Sequence, residues 1–271
     1  MSHPAPALPL WPYPRWVAHR GAGKLAPENT LAAFRLGAQH GYRMFECDVK
    51  LSADGVPFLL HDATLARTTN APNKALAPVQ IAQIAIKDAA PEAIAGNHTW
   101  HTLSQLDAGG WHSRAYAGEP IPTLDGIAQF CIANGFFLNI EIKPTPGTER
   151  HTGEVVARHA AGLWAGQTVP PLLTSFSPEA LEGAQHSAPT LPRGLLLDTL
   201  WSGWLETAIR LGCQAIVCNH KLWDTHTVNQ AKAAGMRTLS YTVNDEPTAQ
   251  RLIDLHTDGI ITDRVDLFSP V

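Results

Sequence analysis

No stretch of the 271-residue chain approaches the roughly 20 consecutive apolar residues that a membrane span requires. Cationic excess is missing too. Lys and Arg number 20 against 24 Asp and Glu, a formal charge of −4, so nothing attracts the chain to nucleic acid or anionic lipid at large. Affinity for a phosphate must then come from a few local cations. Cysteine is scarce, and Cys47, Cys131, Cys213 and Cys218 have neither metal-ligand nor redox spacing. Most lie in apolar runs, as reduced core thiols do in a reducing compartment. Residues 1–14 lack a basic n-region and a continuous apolar h-region, and their prolines suggest an extended arm rather than a signal peptide. These absences together predict a cytoplasmic protein with no nucleic-acid partner and no stable membrane association. No Gly-x-Gly-x-x-Gly or phosphate loop follows any candidate strand, which counts against an open doubly wound nucleotide fold.

What the chain does have is a regular rhythm from Thr123 onward. Helix 124–134 leads to strand 136–142, helix 148–164 to strand 172–176, and helix 178–185 to strand 194–197. Helix 201–211 then precedes strand 215–219, helix 226–234 precedes strand 237–243, and helix 246–255 precedes strand 259–262. Gly135, Gly212, Gly235 and Gly259 fall where helix-to-strand turns need a permissive backbone. Upstream, strand 16–19 and strand 44–51 flank a helix capped by Asn29 or Thr30, and a turn at Ala53-Asp54-Gly55 brings 56–60 back as a hairpin. Residues 62–122 break the rhythm, with only short helical hints such as 79–86 and 103–106. Eight short strands, apolar on both faces and alternating with helices, predict a (β/α)8 barrel. It would be one domain spanning 15–271, with an inserted segment at about 62–122.

In such a barrel chemistry collects at the C-terminal strand ends. Those positions hold His19 and Arg20, then Glu46 and Asp48, then Glu141 and Lys143. Ser175, Phe176, Asn219, His220, Tyr241, Asn244 and Asp263 complete the ring. Glu46 and Asp48 stand at i and i+2 on a strand and share a face, whereas Cys47 between them points into strand–helix packing. Glu46, Asp48 and Glu141 are hard oxygen donors without a His or Cys cluster, which suits one Mg2+ or Ca2+ better than Zn2+. The plainer alternative is that they pair with Arg20 and Lys143, and both arrangements can hold at once. Arg20 and Lys143 suit phosphate oxygens. His19 and His61 each end an apolar run beside the acids, and phosphodiester cleavage requires one base and one acid. Six other histidines, 112, 151, 159, 186, 226 and 256, are expected on the surface, and Trp201, Trp204 and Trp223 in packing.

The motifs His19-Arg20-Gly21, Pro27-Glu28-Asn29-Thr30, Glu46-x-Asp48-Val49, Asp54-Gly55, His61-Asp62 and Arg67-Thr68-Thr69 occur in that order. Ile121-Pro122-Thr123-Leu124, Glu141-Ile142-Lys143, Tyr241-Thr242-Val243-Asn244-Asp245 and the run from Asp258 to Asp263 follow. The sequence resembles the glycerophosphodiester phosphodiesterase family, in its compact bacterial cytoplasmic type, over nearly the whole chain after the arm. The resemblance implies a TIM barrel with an insertion after the second strand. It implies one divalent cation on Glu46, Asp48 and Glu141, His19 and His61 as the catalytic pair, and Arg20 and Lys143 on the phosphate. Members release sn-glycerol 3-phosphate and an alcohol from small glycerophosphodiesters. The expected course is attack by the glycerol 2-hydroxyl to give a cyclic glycerol phosphate, which water then opens. Two departures stand out: Tyr241 replaces a common Trp, so the substrate wall it would form with Phe176 differs, and Ala71–Ala77 replaces a glycine-containing stretch. A same-site enzyme for lysophospholipids and a non-catalytic barrel are the other readings.

Overall fold

The computed structural model describes residues 10–71 and 93–270. In chain order the strands are β1 (Trp16–Ala18), β2 (Met44–Leu51), β3 (Pro57–Leu59), β4 (Phe137–Ile142) and β5 (Leu172–Ser175). They continue with β6 (Arg193–Leu197), β7 (Ala215–Asn219), β8 (Arg237–Tyr241) and β9 (Gly259–Thr262). The helices are α1 (Leu31–Gln39), the single turn α2 (Trp100–Leu103), α3 (Leu124–Ala133), α4 (Glu149–Leu163) and α5 (Pro178–Ser187). They end with α6 (Trp204–Arg210), α7 (Thr225–Ala233) and α8 (Glu246–Asp254). Parallel strands pair in the order β1-β9-β8-β7-β6-β5-β4-β2, and β2 closes onto β1. That is a closed eight-stranded (β/α)8 barrel. The remaining strand, β3, pairs antiparallel to the end of β2, with Leu59 opposite Val49.

Strand parity decides what each layer contains. On β2, Phe45, Cys47 and Val49 point outward into a core with Phe34, Leu138 and Ile140. Met44 points inward, joining Val17, Leu172, Leu196, Ala215, Val217, Leu239 and Ile261 at the base of the barrel. Tyr13, from the end of the arm, seals that base and donates its hydroxyl hydrogen to the Pro170 carbonyl at 2.9 Å. The same inward parity continues to Glu46 and Asp48, so the interior changes from apolar to acidic on one strand. All four cysteines are buried and free.

Helix starts follow their caps. Thr30, Thr123, Ser177, Asp224 and Asp245 each accept a backbone N–H from the first turn they precede. The expected helix at 201–211 begins only at Trp204, after Gly203 at φ 88 turns the chain. The strand expected to reach 243 ends at Tyr241. Gly135, Gly212 and Gly235 take positive φ, whereas Gly259 does not. Gly259 is small because an added Cβ would lie 2.7 Å from Leu239 Cγ on the neighbouring strand.

The described residues 93–122 after β3 dock on the barrel mouth. The carboxylate of Glu119 accepts the N–H of Ala32 in the first turn of α1, and the His112 Nε2 lies 3.0 Å from the Lys24 carbonyl. Beneath them Phe58, Leu60, Leu65, Ala95, Leu103 and Ile121 form a separate cluster. The helical turn lies at 100–103 rather than 103–106, and the expected one at 79–86 falls outside the described residues. Among the described residues no helix is long and apolar enough to cross a membrane.

Candidate active site

The loop from β1 to α1 builds one wall. His19 continues the β9 ladder by donating its N–H to the Thr262 carbonyl at 3.0 Å, and then Arg20 turns left-handed at φ 51. That turn aims the Arg20 N–H at Glu46 Oε2, 3.1 Å away, while its carbonyl accepts the Asn29 N–H at 2.9 Å. Asn29, itself at φ 60, grips Asp48 twice. Its amide donates to Asp48 Oδ2 at 2.8 Å, and its oxygen accepts the Asp48 N–H at 3.1 Å. A left-handed backbone is one that Asn tolerates better than most residues.

One oxygen of each inward acid is thus tied, and the other is left over. Glu46 Oε1 and Asp48 Oδ1 are buried without a hydrogen-bond partner. Glu46, Asp48 and Glu141 each offer an oxygen within 4.8 Å of the others, because β2 and β4 put Asp48 opposite Glu141. Three hard, converging donors with orphaned oxygens fit a divalent cation. Cys47 packs away from them, and burial pushes its thiol up, so it is no ligand.

Electrostatics separates the three acids. Burial, then Asp48 and Glu141, raises Glu46. Burial raises Glu141 as well, against Lys143, whose Nζ donates to Glu141 Oε1 at 3.0 Å. Burial opposes the charge on Asp48, but Arg20 at 3.3 Å and Lys143 at 3.6 Å outweigh it and hold this acid low. Around the trio, Glu28, Asp48, Asp62 and Glu141 are joined in ion pairs to the permanent cations Arg20, Arg67 and Lys143, whereas among the described residues Glu46 and Asp263 have only His19. Lys50 adds a buried amine nearby, which burial lowers to about 8. The balance stays negative without a bound cation.

The two histidines are held alike. His19 Nδ1 lies 2.6 Å from Asp263 Oδ1, and His61 Nδ1 lies 2.7 Å from Asp62 Oδ1. Both carboxylates sit well below the usual range, Asp263 at about 2, so both accept and each Nδ1 carries the hydrogen. The opposite ring nitrogens are left to face the cavity. Asn244 steadies Asp263, donating to Oδ2 at 2.9 Å while accepting its N–H at 2.9 Å.

A cavity of about 180 Å³ joins these groups. His19, Arg20, Glu46, His61, Glu141 and Lys143 line one side. Phe176, Leu196, Tyr241 and Ile261 line the other, over Asn139 and Thr174 on the floor. Phe176 and Tyr241 meet edge to face at 5.8 Å, and the Tyr241 hydroxyl donates to the Leu197 carbonyl at 3.0 Å. Eight of the nine expected site residues therefore border one cavity, with Asp48 just beneath at 1% exposure.

Ser175, Asn219 and His220 do not border it. Ser175 bonds the Ile142 carbonyl, Asn219 bonds Asp198, and the His220 carbonyl accepts from Arg251. Two histidines expected on the surface are half-buried instead: His112 on Lys24, and His159 bonded to Asp125 at 2.6 Å. Trp204 and Trp223 pack as expected, whereas Trp201 is 39% exposed. Asn29 is expected only as a candidate helix cap, and Asp62, Glu28, Arg67 and Asn139 carry no expected site role. The first four lie inside quoted motifs, so the motifs were the available signal.

A family model described as the glycerophosphoryl diester phosphodiesterase family matches residues 19–267. The chain belongs to this family. A glycerophosphodiester phosphodiesterase of Caldanaerobacter subterraneus is 29% identical over 252 residues, covering 91% of this chain and 93% of that one. A solved phosphodiesterase of Oleispira antarctica, in complex with the product sn-glycerol-3-phosphate, is 32% identical with a TM-score of 0.79, covering 93% of each chain. A solved glycerophosphodiester phosphodiesterase of Agrobacterium tumefaciens is 28% identical with a TM-score of 0.73, covering 95% of this chain and all of that one. Membership places the protein among the phosphoric diester hydrolases, a family generally dependent on a divalent metal, and its carboxylate trio suits one.

Proposed function

We propose that this family member hydrolyses glycerophosphodiesters to sn-glycerol 3-phosphate and an alcohol, with His19 and His61 moving the protons. The observation that carries the reading is the pair of aspartate-held imidazoles facing one cavity beside the carboxylate trio. Glu46, Asp48 and Glu141 would hold one divalent cation, Mg2+ or Ca2+. When bound, it acts as a Lewis acid that offsets charge on the phosphoryl group and makes a neighbouring hydroxyl easier to deprotonate.

The residues do the rest. One imidazole Nε2 takes the proton of the glycerol 2-hydroxyl, whose oxygen attacks phosphorus. As that bond forms, the bond from phosphorus to the leaving alcohol breaks, and the second imidazole gives the alkoxide a proton. The product is a cyclic glycerol phosphate. Water then opens the ring with the two histidines in exchanged roles. Arg20 and Lys143 stabilise the phosphoryl oxygens, the guanidinium by paired hydrogen bonds and the ammonium as a point charge. Tyr241 spends its hydroxyl on Leu197 and so presents its ring, with Phe176, to the substrate. The buried thiols support a reducing, cytoplasmic setting.

A second reading, hydrolysis of lysophospholipids at the same site, is favoured by the exposed Phe176, Leu200 and Trp201 near the ends of β5 and β6. Release of glycerol 3-phosphate from glycerophosphocholine and glycerophosphoethanolamine, compared with choline release from lysophosphatidylcholine, separates the readings. The proposal expects glycerophosphodiesters to be the better substrates, with His61→Ala lowering kcat by about 10²–10⁴-fold. Near-normal turnover by that variant would remove His61 from the mechanism.

A further inference from the structure

The two histidines differ one step out. The aspartate that holds His19 is steadied by the neutral amide of Asn244. The aspartate that holds His61 is gripped by a guanidinium: Arg67 Nε lies 2.6 Å from Asp62 Oδ2, and Arg67 Nη2 lies 2.8 Å from Asp62 Oδ1. The other edge of the same guanidinium grips Glu28, with Nη1 2.8 Å from Oε2 and Nη2 2.6 Å from Oε1. Glu28 in turn accepts from Arg20 Nη1 at 2.9 Å, so it is anchored in the β1–α1 loop. Arg67 itself does not border the cavity. Two forked contacts in one plane fix both the position and the rotation of each carboxylate, which a single ammonium cannot do. The carboxylate that sets the His61 ring is therefore tied to the β1–α1 loop that carries His19 and Arg20.

We infer that Arg67 is a positioning residue for His61, acting through Asp62 with Glu28 as its fixed abutment. Without Arg67, Asp62 keeps its chain position but is free to rotate, and the His61 ring loses the orientation that aims Nε2 into the cavity. The effect falls on turnover more than on substrate capture, since Arg67 touches neither phosphate nor glycerol. The inference rests on the reading of His61 as a proton carrier, and the test keeps the two apart.

The test is a double-mutant cycle in the full-length protein, reading kcat and KM for glycerophosphocholine. Arg67→Met, Arg67→Lys, His61→Asn and the double variant His61→Asn/Arg67→Met are compared with the parent. Both Arg67 variants should lower kcat about 10–100-fold, in the range of lost orienting partners at other sites, with KM changed by less than about threefold. Lys keeps the charge, so it should preserve the melting temperature without restoring kcat. On the His61→Asn background, Arg67→Met should cost less than about threefold, because the group it positions is gone. An equal loss on both backgrounds, a loss confined to KM, or full turnover by Arg67→Lys would overturn the inference. Failure of both Arg67 variants to fold would make Arg67 structural and overturn it as well. If His61→Asn alone turned over normally, the fault would lie with the proposed function instead.

Discussion

Burial and the nearness of Asp48 and Glu141 raise the pKa of Glu46, so its ionised form is costly while no cation is bound. A carboxyl whose folded pKa lies above its unfolded value near 4.3 loses stability as pH rises through that interval. Glu46→Gln should therefore raise the melting temperature of metal-free protein at pH 7–8, by about 2–4 °C for each kcal/mol relieved. A lower melting temperature in that variant would contradict the charge account. Asp263 behaves in the opposite sense. Burial works against its charge, but the hydrogen bonds from His19 and Asn244 hold it at about 2. The stability it adds is fully present above its unfolded pKa near 4 and is lost as pH falls toward 2. Asp263→Asn should flatten that acid limb in a thermal melt and lower kcat about 100-fold or more, because an amide no longer selects the His19 tautomer. At this scale the grouping of the nine candidate residues was legible, since their spacing placed them at strand ends. The clamps made by Asn29 and Arg67 were not, because a clamp is defined by what it reaches across the fold.

Elements were legible wherever periodicity and capping agreed, and β1 through β9 lie within two residues of their expected positions. The described residues 62–71 and 93–122 were not, because their structure comes from docking on the barrel rather than from any local period. One contact between helices also escaped. An added Cβ at Gly153 of α4 would lie 1.9 Å from the Ala180 carbonyl oxygen, and one at Gly183 of α5 would lie 2.1 Å from the Arg150 carbonyl oxygen. These reciprocal glycines let the two backbones touch, and a helical glycine declares no partner in a sequence. Gly153→Ala should destabilise the protein by about 1–3 kcal/mol through overpacking, read in a urea melt. The folded fraction should keep its kcat, since both glycines lie on helices outside the site. Glu119→Ala removes a carboxylate from the first turn of α1 and should cost about 1 kcal/mol in the same assay.

At the scale of the whole molecule, closure of the barrel gives the site its logic. Inward parity fills the base with Met44 and its neighbours, then sets acids above them, where strand ends open into loops. A closed ring of eight strands can place Asp263 beside His19 although 244 residues separate them. The family pattern carried this topology, and the cation at its centre is the claim that one measurement reads directly. The measurement is the rate of glycerol 3-phosphate release from glycerophosphocholine by chelator-stripped protein, as Mg2+ or Ca2+ is added back. The account predicts no turnover in the stripped protein, saturable recovery with one of the two ions, and no recovery in Glu46→Gln. Full turnover by the stripped protein, with chelator still present, would contradict it.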